Sequence, residues 1–191
     1  MINPENYINN SIAQNNFRIK LKAETLQWIH IDTTKQILTL FKRNLSHDGS
    51  DNHIIFSAPI SSAKNGLGEE KNSFKTPRGW HNIRAKIGGN MDKGAVFVGR
   101  RWTGEIYSKE LQKKDPERDW ILTRVLWLSG IEPGFNRLGN CDTMQRYIYI
   151  HGTPHTDKIG LAESCGCIRM KDDDIIKLYD IIKPYDQVFI E

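Results

Sequence analysis

From Leu26 onward the chain is a succession of short runs with strand character, each closed by turn residues, and only its last stretch carries a strong helical period. Residues 27–32 (QWIHID) and 36–41 (QILTLF) flank Thr33-Thr34-Lys35 and predict a hairpin. Residues 53–61 (HIIFSAPIS) predict a further strand running into the Gly-rich loop 64–68 (KNGLG). Thr76-Pro77-Arg78-Gly79-Trp80 predicts a turn, followed by short extended segments at 80–87 and 95–99. Residues 107–114 have helical character ending before Pro116; 121–130 (ILTRVLWLSG) alternates as a strand; and 132–140 (EPGFNRLGN) reads as a long loop. YIYI at 147–150 predicts a strand that delivers His151 at its end. For the terminal helix, Asp172 is the expected N-cap, with Asp173 and Asp174 at the positive end of the dipole. Ile175, Ile176, Tyr179 and Ile182 recur at helical spacing, and Lys183 and Pro184 mark the end. QVFIE at 187–191 predicts a closing strand. The fold class that follows is mainly β, with few helices.

A chain of 191 residues fits one domain and buries a core without staples. Its first 25 residues, rich in Asn, predict a polar N-terminal arm, so the folded domain is expected over 26–191. The net charge of +4 is mild, and the basic residues are dispersed without interleaved stacking aromatics, which argues against nucleic-acid binding. No apolar run approaches the ~20 residues that a bilayer requires. The opening MINPENYINNSIAQNN has no Lys or Arg before Arg18 and no apolar core, so no secretory signal is visible in it. The expectation is a cytoplasmic chain, or one whose export signal was trimmed or is of another kind. Three cysteines are too few, and odd in number, for a disulfide framework.

The chemistry is concentrated in 147–170, YIYIHGTPHTDKIGLAESCGCIRM. Acyl transfer from an amide needs a polarisable nucleophile, a base to remove its proton, and donors for the developing oxyanion. Cys167 supplies the first and His151, sixteen residues earlier, the second. Gly166 leaves room for a carbonyl to approach, so the Gly166 and Cys167 N–H groups are candidate oxyanion donors, and Arg169 is a candidate bidentate partner for a substrate carboxylate.

At these residues the chain resembles the L,D-transpeptidase catalytic domain, the YkuD family. The family pattern of His-Gly, a spacer, and Ser-His-Gly-Cys followed by Ile or Val, Arg and Met or Leu appears as His151-Gly152 and Ser164-Cys165-Gly166-Cys167-Ile168-Arg169-Met170. Asn65-Gly66 and Ser73 to Gly79 are similar as well, so the resemblance covers about 26–191. One position departs: Cys165 stands where the family has a histidine. The resemblance implies a single mainly β domain of mixed sheets with a few short helices, and a cysteine at the base of a cleft. It implies that Cys167 attacks the carbonyl of the L-centre of the third residue of a peptidoglycan stem peptide and expels the terminal D-alanine. An amine, on a second stem or on an envelope protein, then resolves the thioester. Resolution by water would make the chain an L,D-carboxypeptidase. The resemblance further implies that the Gly152 carbonyl orients His151, that no cofactor takes part, that carbapenems acylate the thiol, and that the substrate puts the protein in the periplasm or cell envelope.

Other readings of the same residues stand beside this one. Cys141 reads as a small core hydrophobe. Cys165 is a neutral replacement, a disulfide partner of Cys167 or a resolving thiol, and a stable bond between positions i and i+2 strains normal disulfide geometry. His151, His155, Cys165 and Cys167 have the composition of a zinc site, but Pro154 between the histidines and the tight Cys-x-Cys spacing argue against metal. A scaffold retained for wall or metal binding, without catalysis, is the reading from a different class. Trp120, Trp127, Tyr147 and Tyr149 are expected as core and cleft wall.

Overall fold

The computed structural model describes residues 27–43 and 52–191. The expected arm over 1–25 lies outside the described residues. Among the described residues ten strands form one sheet: β1 (Gln27–Asp32), β2 (Ile37–Arg43), β3 (Asn52–Pro59), β4 (Gly79–Ile87), β5 (Ala95–Val98), β6 (Arg101–Ile106), β7 (Ile121–Gly130), β8 (Tyr149–Gly152), β9 (Ile168–Met170) and β10 (Gln187–Ile190). The hairpin of β1 and β2 turns one residue later than its polar turn suggests, at Gln36, which takes φ 53. The order runs β3-β2-β1-β10-β4-β7-β5-β6, and β8 and β9 branch from β7. Two pairs are parallel, β1 with β10 and β8 with β9; the remainder are antiparallel.

Strand β7 is the hub. One edge offers its first residues to β5 and its later ones to β4, while the other edge takes β8. A register shift between Leu122 and Val125 marks the change, and buried Thr123 sits there at φ 69, a costly backbone for a β-branched residue.

Helix α1 (Lys109–Lys114) starts at Ser108, whose side chain accepts from the Leu111 N–H. Helix α2 (Asp172–Ile181) packs against β7 and β8 and buries Ile175 and Leu178, with Ile182 buried just beyond it. Its N-cap is Lys171, not Asp172 as the sequence suggests; Asp172 is the first helical residue, with its carboxylate turned toward Gly152. Alternation puts Ile29, Ile31, Leu38, Leu40, Ile150, Ile168 and Met170 in one core with α2. The opposite face holds a smaller cluster of Ala95, Phe97, Val125 and Tyr149, against which Trp127 and Cys167 pack. Trp120 joins Val96 and Leu122 in a third.

Three further expectations are corrected. β8 begins at Tyr149, because Tyr147 adopts φ 59 and leaves the extended region, so His151 lies inside the strand and not beyond it. β6 and β9 carry no strand signal of their own and are extended through pairing. Cys141 is no core residue: it sits half-exposed on a 3-10 turn (Gly139–Cys141), its Sγ 3.1 Å from the Leu138 carbonyl.

Candidate active site

The parallel pairing of β8 with β9 builds the site. Ile150 faces Ile168 and His151 faces Arg169 in register. Because side chains alternate, burial of Ile150, Ile168 and Met170 in the main core turns Tyr149, His151, Cys167 and Arg169 to the other face. Residues far apart in the chain are thereby brought together by ladder geometry.

Cys167 is half-buried and precedes β9. Its sulfur accepts from the Tyr149 N–H at 3.4 Å and lies 3.5 Å from the Tyr147 carbonyl, to which the S–H donates. Loss of hydration, and after it the negative charge of Asp119, push the thiol up to about 12, so it is protonated at neutral pH.

His151 is fully buried, and its Nδ1 lies 2.7 Å from the Gly152 carbonyl oxygen. A carbonyl only accepts, so the hydrogen resides on Nδ1 and the lone pair on Nε2. Nε2 is buried and makes no hydrogen bond among the described residues. Burial holds the imidazole below its ordinary value of 6.5, against the opposing charge of Asp119, so the ring is neutral at pH 7. Both groups are therefore neutral at rest, and among the described residues the Cys167 sulfur is bonded to the Tyr149 N–H and the Tyr147 carbonyl and not to His151 Nε2.

Gly152 is fixed by crowding. A Cβ there would lie 2.2 Å from Asp172 Oδ1 and 2.8 Å from the Leu122 carbonyl oxygen. The strained Thr123 bulge and the first residue of α2 thus seat the carbonyl that orients His151. Gly166 adopts φ 125, a conformation reserved for glycine, between Ile148 and the Lys75 carbonyl. Its N–H already donates to Ser164 Oγ at 3.2 Å, while that hydroxyl donates to the Cys167 carbonyl at 2.6 Å. The Cys167 N–H is not engaged by backbone among the described residues and is the freer of the two candidate oxyanion donors. Thr76, which sequence reading treated only as a turn residue, donates to the Gly166 carbonyl at 2.9 Å and ties the 63–76 segment to the nucleophile's loop.

Arg169 is almost completely buried and already partnered: Nη2 donates to Asp119 at 2.8 Å and Nη1 to the Glu163 carbonyl at 3.2 Å. Engaged by Asp119 and Glu163, it does not present a free fork. Arg146 went unnoticed in the sequence. Its guanidinium donates to the carbonyls of Gly68, Glu69 and Lys75, and so clamps the loop before Thr76. Cys165 is exposed and lines a cavity of about 200 Å³ with Lys71, Phe74, Gln145, Arg146 and Tyr147. His155 is half-buried on the 153–166 connection. Among the described residues no group of three His, Cys, Asp or Glu is placed to hold a metal ion.

A half-buried thiol and a buried neutral imidazole on one face of a branched mixed sheet define a cysteine–histidine site. The model of the L,D-transpeptidase catalytic domain matches residues 26–190, and the chain belongs to that family. Among solved structures, Bd1075 of Bdellovibrio bacteriovorus is similar at 17% identity and a TM-score of 0.51, over 90% of this chain and 49% of that one. L,D-transpeptidase 3 from Mycobacterium tuberculosis is similar at 14% identity and a TM-score of 0.50, over 87% and 61%. An L,D-transpeptidase from Mycobacterium smegmatis aligns at 20% identity and a TM-score of 0.46, over 87% and 58%. This chain therefore spans about half to three-fifths of the length of those structures. No curated protein sequence matches it.

Proposed function

We propose that this chain is a peptidoglycan L,D-transpeptidase working by cysteine acyl transfer in the cell envelope. The observation that carries the reading is the His151 tautomer: Nδ1–H is committed to the Gly152 carbonyl, which leaves a buried Nε2 lone pair on the face that bears the Cys167 thiol. The S–H turns from the Tyr147 carbonyl to Nε2 and gives up its proton as sulfur attacks the carbonyl carbon of the third stem residue. The oxyanion meets the Cys167 N–H. Collapse breaks the amide bond, and the leaving D-alanine amine takes the proton from Nε2, leaving a thioester. An acceptor amine attacks that thioester, loses a proton to Nε2, and the departing sulfur recovers it. Cys165 sits outside this proton path, which supports activity without the histidine usual at that position.

The test is intact-protein mass spectrometry after incubation with a carbapenem, on wild type, Cys167→Ala and Cys165→Ala. The expected result is one drug-sized adduct on wild type and on Cys165→Ala, and none on Cys167→Ala. A folded, reduced wild type that takes no adduct refutes the reading. Incubation with a disaccharide-tetrapeptide donor, with and without an amine acceptor, then separates crosslinking from hydrolysis by product mass.

A further inference from the structure

The tip of the β5–β6 hairpin carries an arginine where backbone chemistry calls for something else. Val98 pairs with Arg101, so the loop is the two residues Gly99 and Arg100, at φ 53 and 68. Two positive φ values in a two-residue hairpin favour Gly or Asn, and a long side chain there is disfavoured. The Arg100 guanidinium stands 4.2 Å from the centre of the Trp127 ring and 4.9 Å from that of Tyr147, and its Nη1 donates to the Tyr149 hydroxyl at 3.3 Å.

Two of these partners are the residues that hold the nucleophile: the Tyr149 N–H binds Cys167 Sγ and the Tyr147 carbonyl receives its S–H. A guanidinium fixed by three aromatic side chains is thus set about one tyrosine side chain from the thiol. It is also an available cation there, whereas the two other arginines near the thiol are engaged. Arg169 is tied to Asp119 and Glu163, and Arg146 to the carbonyls of its loop. No carboxylate among the described residues forms an ion pair with Arg100.

We propose that Arg100 is the carboxylate receptor of the donor site, binding a carboxylate of the stem peptide within a residue or two of the bond attacked by Cys167. The proposal rests on the acyl-transfer reading above and deepens it by naming the group recognised. Aromatic faces hold the guanidinium flat while leaving its outer N–H groups for a bidentate partner. The terminus of the leaving D-alanine is one such carboxylate, and a third residue that is a diaminodicarboxylic acid offers a second. Both lie about one or two residue spacings of ~3.8 Å from the scissile carbonyl.

The experiment is calorimetric binding to Cys167→Ala and to Cys167→Ala/Arg100→Asn of three tetrapeptides: the free acid, the peptide amidated at the D-alanine, and the peptide amidated at the diamino acid. Asn suits the turn's backbone, so this variant removes the cation without stressing the hairpin, and its melting temperature verifies that. The expected result is that Arg100→Asn weakens the free acid about 10–100-fold. One amidated peptide should bind Cys167→Ala that much more weakly and lose nothing further with Arg100→Asn, which identifies the carboxylate. Equal binding of the free acid by both proteins overturns the proposal, as does an equal loss for all three peptides, the mark of a merely structural cradle. Failure of acyl transfer is read separately: peptide that binds as described while wild type forms no thioester leaves Arg100 as the receptor and removes the chemistry. No binding of any stem peptide removes both.

Discussion

A single methyl group added beside His151 decides whether that ring is held. In Gly152→Ala the new carbon meets Asp172 Oδ1 and, less yieldingly, the backbone oxygen of Leu122, so β8 must shift and carry the orienting carbonyl with it. The expected outcome is a loss of about 2–4 kcal/mol in denaturant unfolding and a much larger proportional loss of acylation rate. His151→Gln keeps a polar side chain but removes the base, and should slow acylation about 10²–10⁴-fold in stopped-flow measurements. The pH profile has a definite sign. His151 sits below its ordinary 6.5, so its basic form prevails at neutral pH and the acylation rate should fall only as pH drops under 6.5. The thiol, pushed up to about 12, gains no useful free thiolate near neutrality, so the profile should stay level from about pH 7 to 9. An acid limb centred above 6.5 would contradict this description. His151 and Cys167 were legible as candidates because Ser-x-Gly-Cys-Ile-Arg-Met is a dense local string. Arg100, Asp119, Arg146 and Thr76 were not, because their work depends on the hydrogen-bond partners Tyr149, Arg169, Lys75 and Gly166, which lie 49 to 90 residues away in the chain.

Among the elements, the loop between β3 and β4 depends on one side chain from outside it. Arg146 binds three of the loop's carbonyls, and Thr76 at its end binds the Gly166 carbonyl. Arg146→Ala leaves those carbonyls to water, with an expected cost of about 2–4 kcal/mol and faster amide exchange at Gly68 and Thr76 than in wild type. Unchanged exchange there would show that the loop holds itself. Alternation made β7 readable, and the spacing of Ile175 and Ile182 made α2 readable. β6 was hidden because its RWTGEI is exposed on both faces, and β9 because three residues carry no period. Asp172 has the chemistry of a cap, yet its carboxylate lies toward Gly152 and Lys171 takes the N-cap position without a side-chain bond.

Across the whole molecule, acid stability turns on a second buried histidine. His81 lies between the Gly79 carbonyl at 3.0 Å and Thr143 at 3.1 Å, and burial lowers it from 6.5 to about 4. A histidine held low stabilises the fold fully above pH 6.5, and that contribution is lost as pH falls toward 4. The expected loss from His81 across this window is about 3 kcal/mol, and His81→Gln should lessen the fall in urea-unfolding free energy from pH 7 to 4, leaving the part that buried His151 contributes. A wild-type curve already flat there would exclude the role. The overall sheet order was not readable from local patterns, since β1 meets β10 only after the chain has closed on itself. The same holds for the parallel ladder of β8 and β9, and it bears on how such a site can diversify. Base and nucleophile are registered by strand neighbours, so the number of residues between them is free to drift. Exposed Leu161 and Ala162 lie on that connection, where doubling the loop costs only about 0.6 kcal/mol in closure entropy. New surface for recognising different partners can therefore be grafted between β8 and β9 without moving either.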